Sequence, residues 1–159
     1  MDKWDSRFME MAHVIAGWTS CYRPGRSIGC VIVKDGKVIG RGRNRREEKQ
    51  AVYSHAEMEA MAQANAALGS WRLDGCALYV TLEPCPMCAG AILNARIPKV
   101  FYGARDSAFG ACGGVTNLFM EQFPHRPALV GGILAEDCQA VLAEFFEKLR
   151  QGKPSTQSF

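Results

Sequence analysis

His55, Glu57, Cys85 and Cys88 are the residues whose types and spacing could do chemistry together. One imidazole and two thiolates suit zinc, and three protein ligands on a tetrahedral ion leave a fourth position for water. That open position separates a hydrolytic site from a structural one. Cys85 and Cys88 stand three apart on one face of a helix start, where unpaired backbone N–H groups favour the thiolate form. Glu57, two residues beyond His55, need not bind the metal and could carry protons between the water and a substrate. Other readings fit the pieces singly. Ser54-x-x-Glu57 is also a capping box that would close a helix N-terminus. Cys85-x-x-Cys88 alone could be a redox pair or half of a structural zinc site. The gap from His55 to Cys85 has room for one helix, one strand and a second helix start, which is what bringing them together requires.

The elements that must position these residues can be read in order. Phe8, Met11, Ile15 and Trp18 recur at helical spacing and predict a helix over 5–19. His13 lies on it as a surface or boundary residue without a role. Residues 20–26, with Pro24-Gly25 as breaker, read as a loop. Strands are expected over 28–33 and 37–42, joined by a hairpin turn at Asp35-Gly36. Arg41, Arg43, Arg45 and Arg46, followed by Glu47 and Glu48, are either a solvated strand end with local ion pairs or a phosphate contact. Asn44 leaves this strand by a loop short enough to set it beside the metal. A helix over 55–67 stops at Gly69, with Trp71 and Leu73 as anchors of the next loop. Residues 76–82 form a continuous apolar strand of the kind buried on both faces, leading into a helix over 85–95. Strands follow at 100–103 and 128–134, with a helical patch at 117–120 between them. That connection is too long for a hairpin and favours a parallel crossover. A last helix is expected over 136–150, with Val141, Leu142, Phe145 and Leu149 on one face. The predicted fold class is α/β, three layers α/β/α around a mixed sheet of about five strands.

The whole chain agrees with this. At 159 residues it has a one-domain length, and its 48% hydrophobic and 22% charged residues are ordinary for a soluble protein. The expected domain is 1–150, with a frayed polar tail over 151–159. No apolar run approaches a membrane span, and residues 1–5 lack the pattern of a signal peptide. Seven cysteines are an odd count. Two are assigned to metal, and the other five show no framework spacing, which predicts a reducing cytoplasm. A net charge of +3 is too small to argue for nucleic acid by itself.

With these residues in hand, the chain resembles the cytidine deaminase-like superfamily, whose signature is H-x-E followed by P-C-x-x-C. Within it the strongest resemblance is to bacterial tRNA adenosine deaminases, which make inosine at the wobble position. The matching stretches include Asn44-Arg45, His55-Ala56-Glu57-Met58, the run from Ala77 to Ala91, Tyr102-Gly103-Ala104-Arg105-Asp106, His125-Arg126 and the run from Gly132 to Cys138. Nearly the full domain is covered. The chain also departs from that pattern. Pro24-Gly25-Arg26-Ser27-Ile28-Gly29 replaces the usual lead into the first strand, and this region is more similar to deoxycytidylate deaminases. Arg46 stands at a usual proline, and Ala108 at a position where bacterial tRNA enzymes commonly carry Lys.

The resemblance implies one Zn2+ per chain on His55, Cys85 and Cys88, with Glu57 as the catalytic proton carrier. It implies that Asn44 hydrogen-bonds a flipped base in a pocket lined by Ile28, Ala56, Leu82 and Pro84. Arg105, Asp106, His125 and Arg126, with Phe145 or Phe146, would meet the surrounding RNA loop. It also implies a homodimer. Three functions follow as expectations: deamination of adenosine in a tRNA anticodon loop, deamination of a free nucleobase, nucleoside or nucleotide, and a non-catalytic zinc subunit of an RNA-binding complex. The carboxylate of Glu57 separates the last from the others, since a dead subunit has no use for it.

Overall fold

The computed structural model describes residues 3–20 and 28–140. The expected 20–26 loop (save residue 20), most of the last helix with Phe145 and Phe146, and the 151–159 tail lie outside the described residues. Chain order is α1 (Lys3–Ser20), β1 (Gly29–Lys34), β2 (Lys37–Arg43), α2 (Arg46–Lys49), α3 (Ala56–Leu68), β3 (Cys76–Leu82), α4 (Pro86–Ala95), β4 (Lys99–Ala104), a 3-10 turn (Leu118–Met120) and β5 (Ala128–Val130). Residues 135–140 are helical. No helix among the described residues is long and apolar enough to cross a membrane.

The alternation of side chains along β1 and β3 decides the layering. Val31, Val33 and Tyr79 face α1, where they pack with Phe8, Met9, Ala12 and Ile15. Cys30, Ile32, Leu78 and Val80 face the other way, onto Ala56, Ala60 and Ala64 of α3 and Ala89 and Ile92 of α4. Both faces of the central strands are thus covered, as their apolar runs require. The sheet order is β2-β1-β3-β4-β5, with β1 antiparallel to both neighbours and β3, β4 and β5 mutually parallel. The hairpin at Asp35-Gly36 has positive φ at both residues (50° and 76°), the geometry that matches strand twist in a two-residue turn.

Glycines in β2 let α3 lie directly on the sheet. A Cβ at Gly42 would collide with the Ala56 carbonyl oxygen and stand 2.6 Å from the Ala60 nitrogen. Gly40 meets Ala60 and Ala64 in the same way. Backbone therefore packs on backbone, and the first turn of α3 is pinned above the end of β2.

Three expectations change. β5 stops at Val130 and does not reach 134, because Gly131 passes close over the Tyr102 ring and Gly132 turns the chain at φ 85°. The charged stretch after Asn44 forms the short α2, a helix held by ion pairs rather than by an apolar face. Leu73 is fully buried, but the Trp71 ring is exposed beside the Arg72 guanidinium, and Trp71 ties the loop down only through its carbonyl, which accepts from the Asn65 side-chain amide at 3.1 Å.

Gly42→Ala should cost about 1–3 kcal/mol in urea denaturation, by overpacking the α3 contact. Gly90→Ala in α4, where the added methyl meets nothing within 4 Å, should be neutral or stabilise by up to about 1 kcal/mol.

Candidate metal centre

Two helix starts meet at the end of the sheet where β3 leaves it. His55 is the N-cap of α3 and Cys85 the N-cap of α4, both in extended conformation. Pro86 takes the first helical position, where its missing N–H is no loss. Cys88 follows one turn later and is fully buried. The His55 Nδ1 atom lies 3.6 Å from Cys85 Sγ and 3.6 Å from Cys88 Sγ. All three donor atoms fall within 4.8 Å of one another. A tetrahedral ion with bonds of about 2.3 Å to sulfur and about 2.05 Å to nitrogen would hold N and S about 3.6 Å apart. The side chains fit such an ion without rearrangement.

The electrostatics fit as well. Cys85 is pulled down to about 4, chiefly by the hydrogen bond from the Cys88 thiol and further by His55, against the opposing effect of burial. Cys88 is pushed far up by the same bond, so the pair keeps one proton in the metal-free protein. The His55 imidazole is raised, first by its bond to Cys85. A cation entering this triangle replaces protons already gathered around a thiolate.

Glu57 stands in the first turn of α3, 4% exposed. The capping-box reading fails, since Ser54 is buried with its Oγ unbonded and the N-cap is His55. Glu57 is raised above the ordinary carboxylate range, mainly by burial, with a hydrogen bond from Cys88 pulling the other way. A carboxyl group whose proton affinity is raised in this way is a better proton acceptor than an exposed glutamate.

The other expected residues divide by position. Ile28, Asn44, Ala56, Leu82, Pro84, Arg105 and Asp106 all lie at this end of the sheet, since β3 and β4 run parallel towards it and β1 starts from it. Asn44 is buried, and its Oδ1 accepts from the Arg46 backbone N–H at 3.0 Å. Asp106 spends its Oδ1 on the N–H groups of Ala108 and Phe109. His125 and Arg126 do not join them. They precede β5, which pairs with the first residues of β4, and His125 Nε2 bonds the Ile97 carbonyl at 2.8 Å. The length of β4, about 17 Å at about 3.3 Å per residue, separates them from Arg105 in the same chain. Two of the four clustered arginines are locally paired, Arg43 and Arg45 with Glu48, and the neighbouring Lys49 pairs with Glu59.

Glu83 escaped the reading by type and spacing. It is 2% exposed, and its carboxylate accepts backbone N–H groups from Asp106, Cys112 and Gly114. A lone glutamate before Pro84-Cys85 carries no periodic signal. Gly110, Gly113 and Gly114, clustered downstream, were the available hint that some group approaches the backbone closely there.

A MafB19-like deaminase family model matches residues 3–150. The tRNA-specific adenosine deaminase of Bacillus subtilis (strain 168) is 47% identical over 131 residues, covering 82% of this chain and 81% of that protein. A solved structure from work on A-to-I editing by tRNA:A34 deaminases has a TM-score of 0.80 and 41% identity, covering 85% of this chain and 98% of that one. A guanine deaminase structure from Nitrosomonas europaea reaches a TM-score of 0.77 at 22% identity, covering 88% of this chain and 83% of that one, which speaks to the fold alone. The sheet and its helices have the cytidine deaminase-like fold of these neighbours. Matched over residues 3–150, this chain is an enzyme that belongs to the MafB19-like deaminase family.

Proposed function

We propose that the protein deaminates adenosine to inosine at the wobble position of a tRNA anticodon loop, with one zinc ion on His55, Cys85 and Cys88. The observation that carries this is the tetrahedral spacing of those three donors beside the buried Glu57, in a chain 47% identical to a tRNA-specific adenosine deaminase. Zinc in this site would acidify a water for attack on the amine-bearing ring carbon. Glu57 would take one proton of the attacking water on a carboxylate oxygen and pass it to the ring nitrogen, then carry the second, from the hydroxyl left on the ring carbon, to the departing amine. Burial of Glu57 keeps bulk water from diverting either transfer. Asn44 holds the base by its side-chain amide, and Ile28, Ala56, Leu82 and Pro84 shape an apolar slot around it. Arg105 and Asp106 stand at the rim, towards the flanking nucleotides. The enzyme works in the cytoplasm as a homodimer, for which the exposed Val52, Tyr53, Val115, Met120 and Phe123 offer apolar surface.

The purified protein should carry one zinc per chain by elemental analysis. Glu57→Ala should keep that zinc and lose activity on an anticodon stem-loop by about 10²- to 10⁴-fold. An active variant would sink the mechanism. Cys88→Ala should lose both zinc and thermal stability, because the ion ties two helix starts together.

Zinc affinity should fall as pH is lowered from 8 to 6. His55 must be neutral to bind, and its affinity for a proton is raised above the ordinary 6.5, so protons compete over that window. Titration calorimetry in buffers of different ionisation enthalpy should register proton release on binding. On the substrate side, a stem-loop with adenosine at the wobble position should release ammonia, while free adenosine, deoxycytidylate and guanine should not. Sedimentation should give a dimer at micromolar concentration.

A further inference from the structure

Two carboxylates are buried among the described residues, Glu57 and Glu83, and the reaction above uses only the first. Glu83 serves a loop. Its Oε1 accepts from the Asp106 N–H at 3.3 Å, and its Oε2 from Cys112 at 2.9 Å and Gly114 at 2.8 Å. The loop approaches so closely that a Cβ at Gly114 would stand 2.9 Å from both carboxylate oxygens, and one at Gly110 would collide with Oε2. Two backbone bonds extend the lacing on either side, Glu83 N–H to the Ala104 carbonyl and Ala111 N–H to the Pro84 carbonyl, each 2.8 Å. The next residue is the metal-centre donor Cys85.

The loop is also braced from within. Asp106 caps the turn at Ala108 and Phe109, and the Arg105 guanidinium donates to the Gly113 carbonyl at 2.9 Å. What this rigid frame displays is a hydrophobic ring. Phe109 is 70% exposed, one residue from Gly110 on the carboxylate. Holding an aromatic face still in water is unfavourable for folding but lowers the ordering cost of stacking a base on it.

We infer that Glu83 is a positioning residue for substrate: it clamps the 106–114 loop to the Cys85 turn so that Phe109 presents its ring to a base next to the reacting nucleotide. This rests on the RNA reading above. Single-stranded loops are recognised through splayed bases stacked on aromatic side chains, and loss of one such platform weakens binding by about 5- to 150-fold.

The test is steady-state kinetics of the zinc-loaded, full-length enzyme on an anticodon stem-loop, with Phe109→Ala, Glu83→Gln and the double variant. Each single change should raise KM by about 5- to 150-fold, with kcat within about threefold and one zinc still bound. The double variant should be no worse than the worse single one, because Glu83 acts through the ring. Gly114→Ala, which keeps the Glu83 carboxylate but drives a methyl against it and against the Asp106 carbonyl, displacing the loop, should raise KM likewise and stands in if Glu83→Gln does not fold. Additive effects, or a fall in kcat or zinc content at unchanged KM, would overturn the inference. So would a Phe109→Ala protein with unchanged KM and a shifted monomer–dimer balance, which would give the ring to a second copy of the chain. A wild-type enzyme that leaves the stem-loop untouched defeats the RNA reading itself. The clamp is then read by hydrogen exchange, and unchanged protection of the Cys112 and Gly114 amides in Glu83→Gln would refute it.

Discussion

Three side chains can share one tetrahedral ion only if the two helix ends that carry them are held within a few ångströms of each other. An N-cap position is suited to this, because its extended backbone turns the side chain back over the exposed N–H groups of the first turn. His55 and Cys85 both occupy such positions. Much of the fold maintains their separation. The strand between them is buried on both faces and cannot slip, since a shift by one residue would reverse its two apolar sets. The alanine face of α3 rests on the glycines of β2, so that at Gly40 and Gly42 helix backbone meets strand backbone with no side chain between them to take up an error in height.

How much of this was legible depends on the range of the interaction. The gathering of His55, Glu57, Cys85 and Cys88 was readable because each half is local: His55 and Glu57 in one turn, Cys85 and Cys88 in another. The strands β1 to β4 followed from alternation or from a continuous apolar run, and the parallel crossover from the length of its connection. The end of β5 depends on Gly131 crossing the Tyr102 ring, a contact between residues twenty-nine apart in sequence, and no local pattern records it. The same limit explains His125 and Arg126. Resemblance groups them with Arg105 and Asp106 as one set of contacts, whereas strand direction sends the two pairs to opposite ends of the sheet.

The arginine cluster teaches a related point about charge. Four arginines in six residues look like a phosphate site on composition alone. In the folded chain Glu48 answers two of them, and Glu59 answers Lys49 across the turn. Exposed pairs of this kind contribute little to stability, yet they quiet the local field and give α2 its shape.

The cysteines set a further condition on the life of this protein. Among the described residues Cys30, Cys76, Cys112 and Cys138 are buried, and burial raises each thiol, Cys112 to about 12 and Cys138 to about 11. They are protonated and sheltered, hence poor nucleophiles. Cys85 is half-buried and ionised already at about 4. An electrophile or peroxide meeting the metal-free chain therefore finds, among the described cysteines, a single reactive sulfur, at the position where damage is most costly. An ion held there would double as a protecting group, and a newly made chain without one would be exposed to poisoning at Cys85.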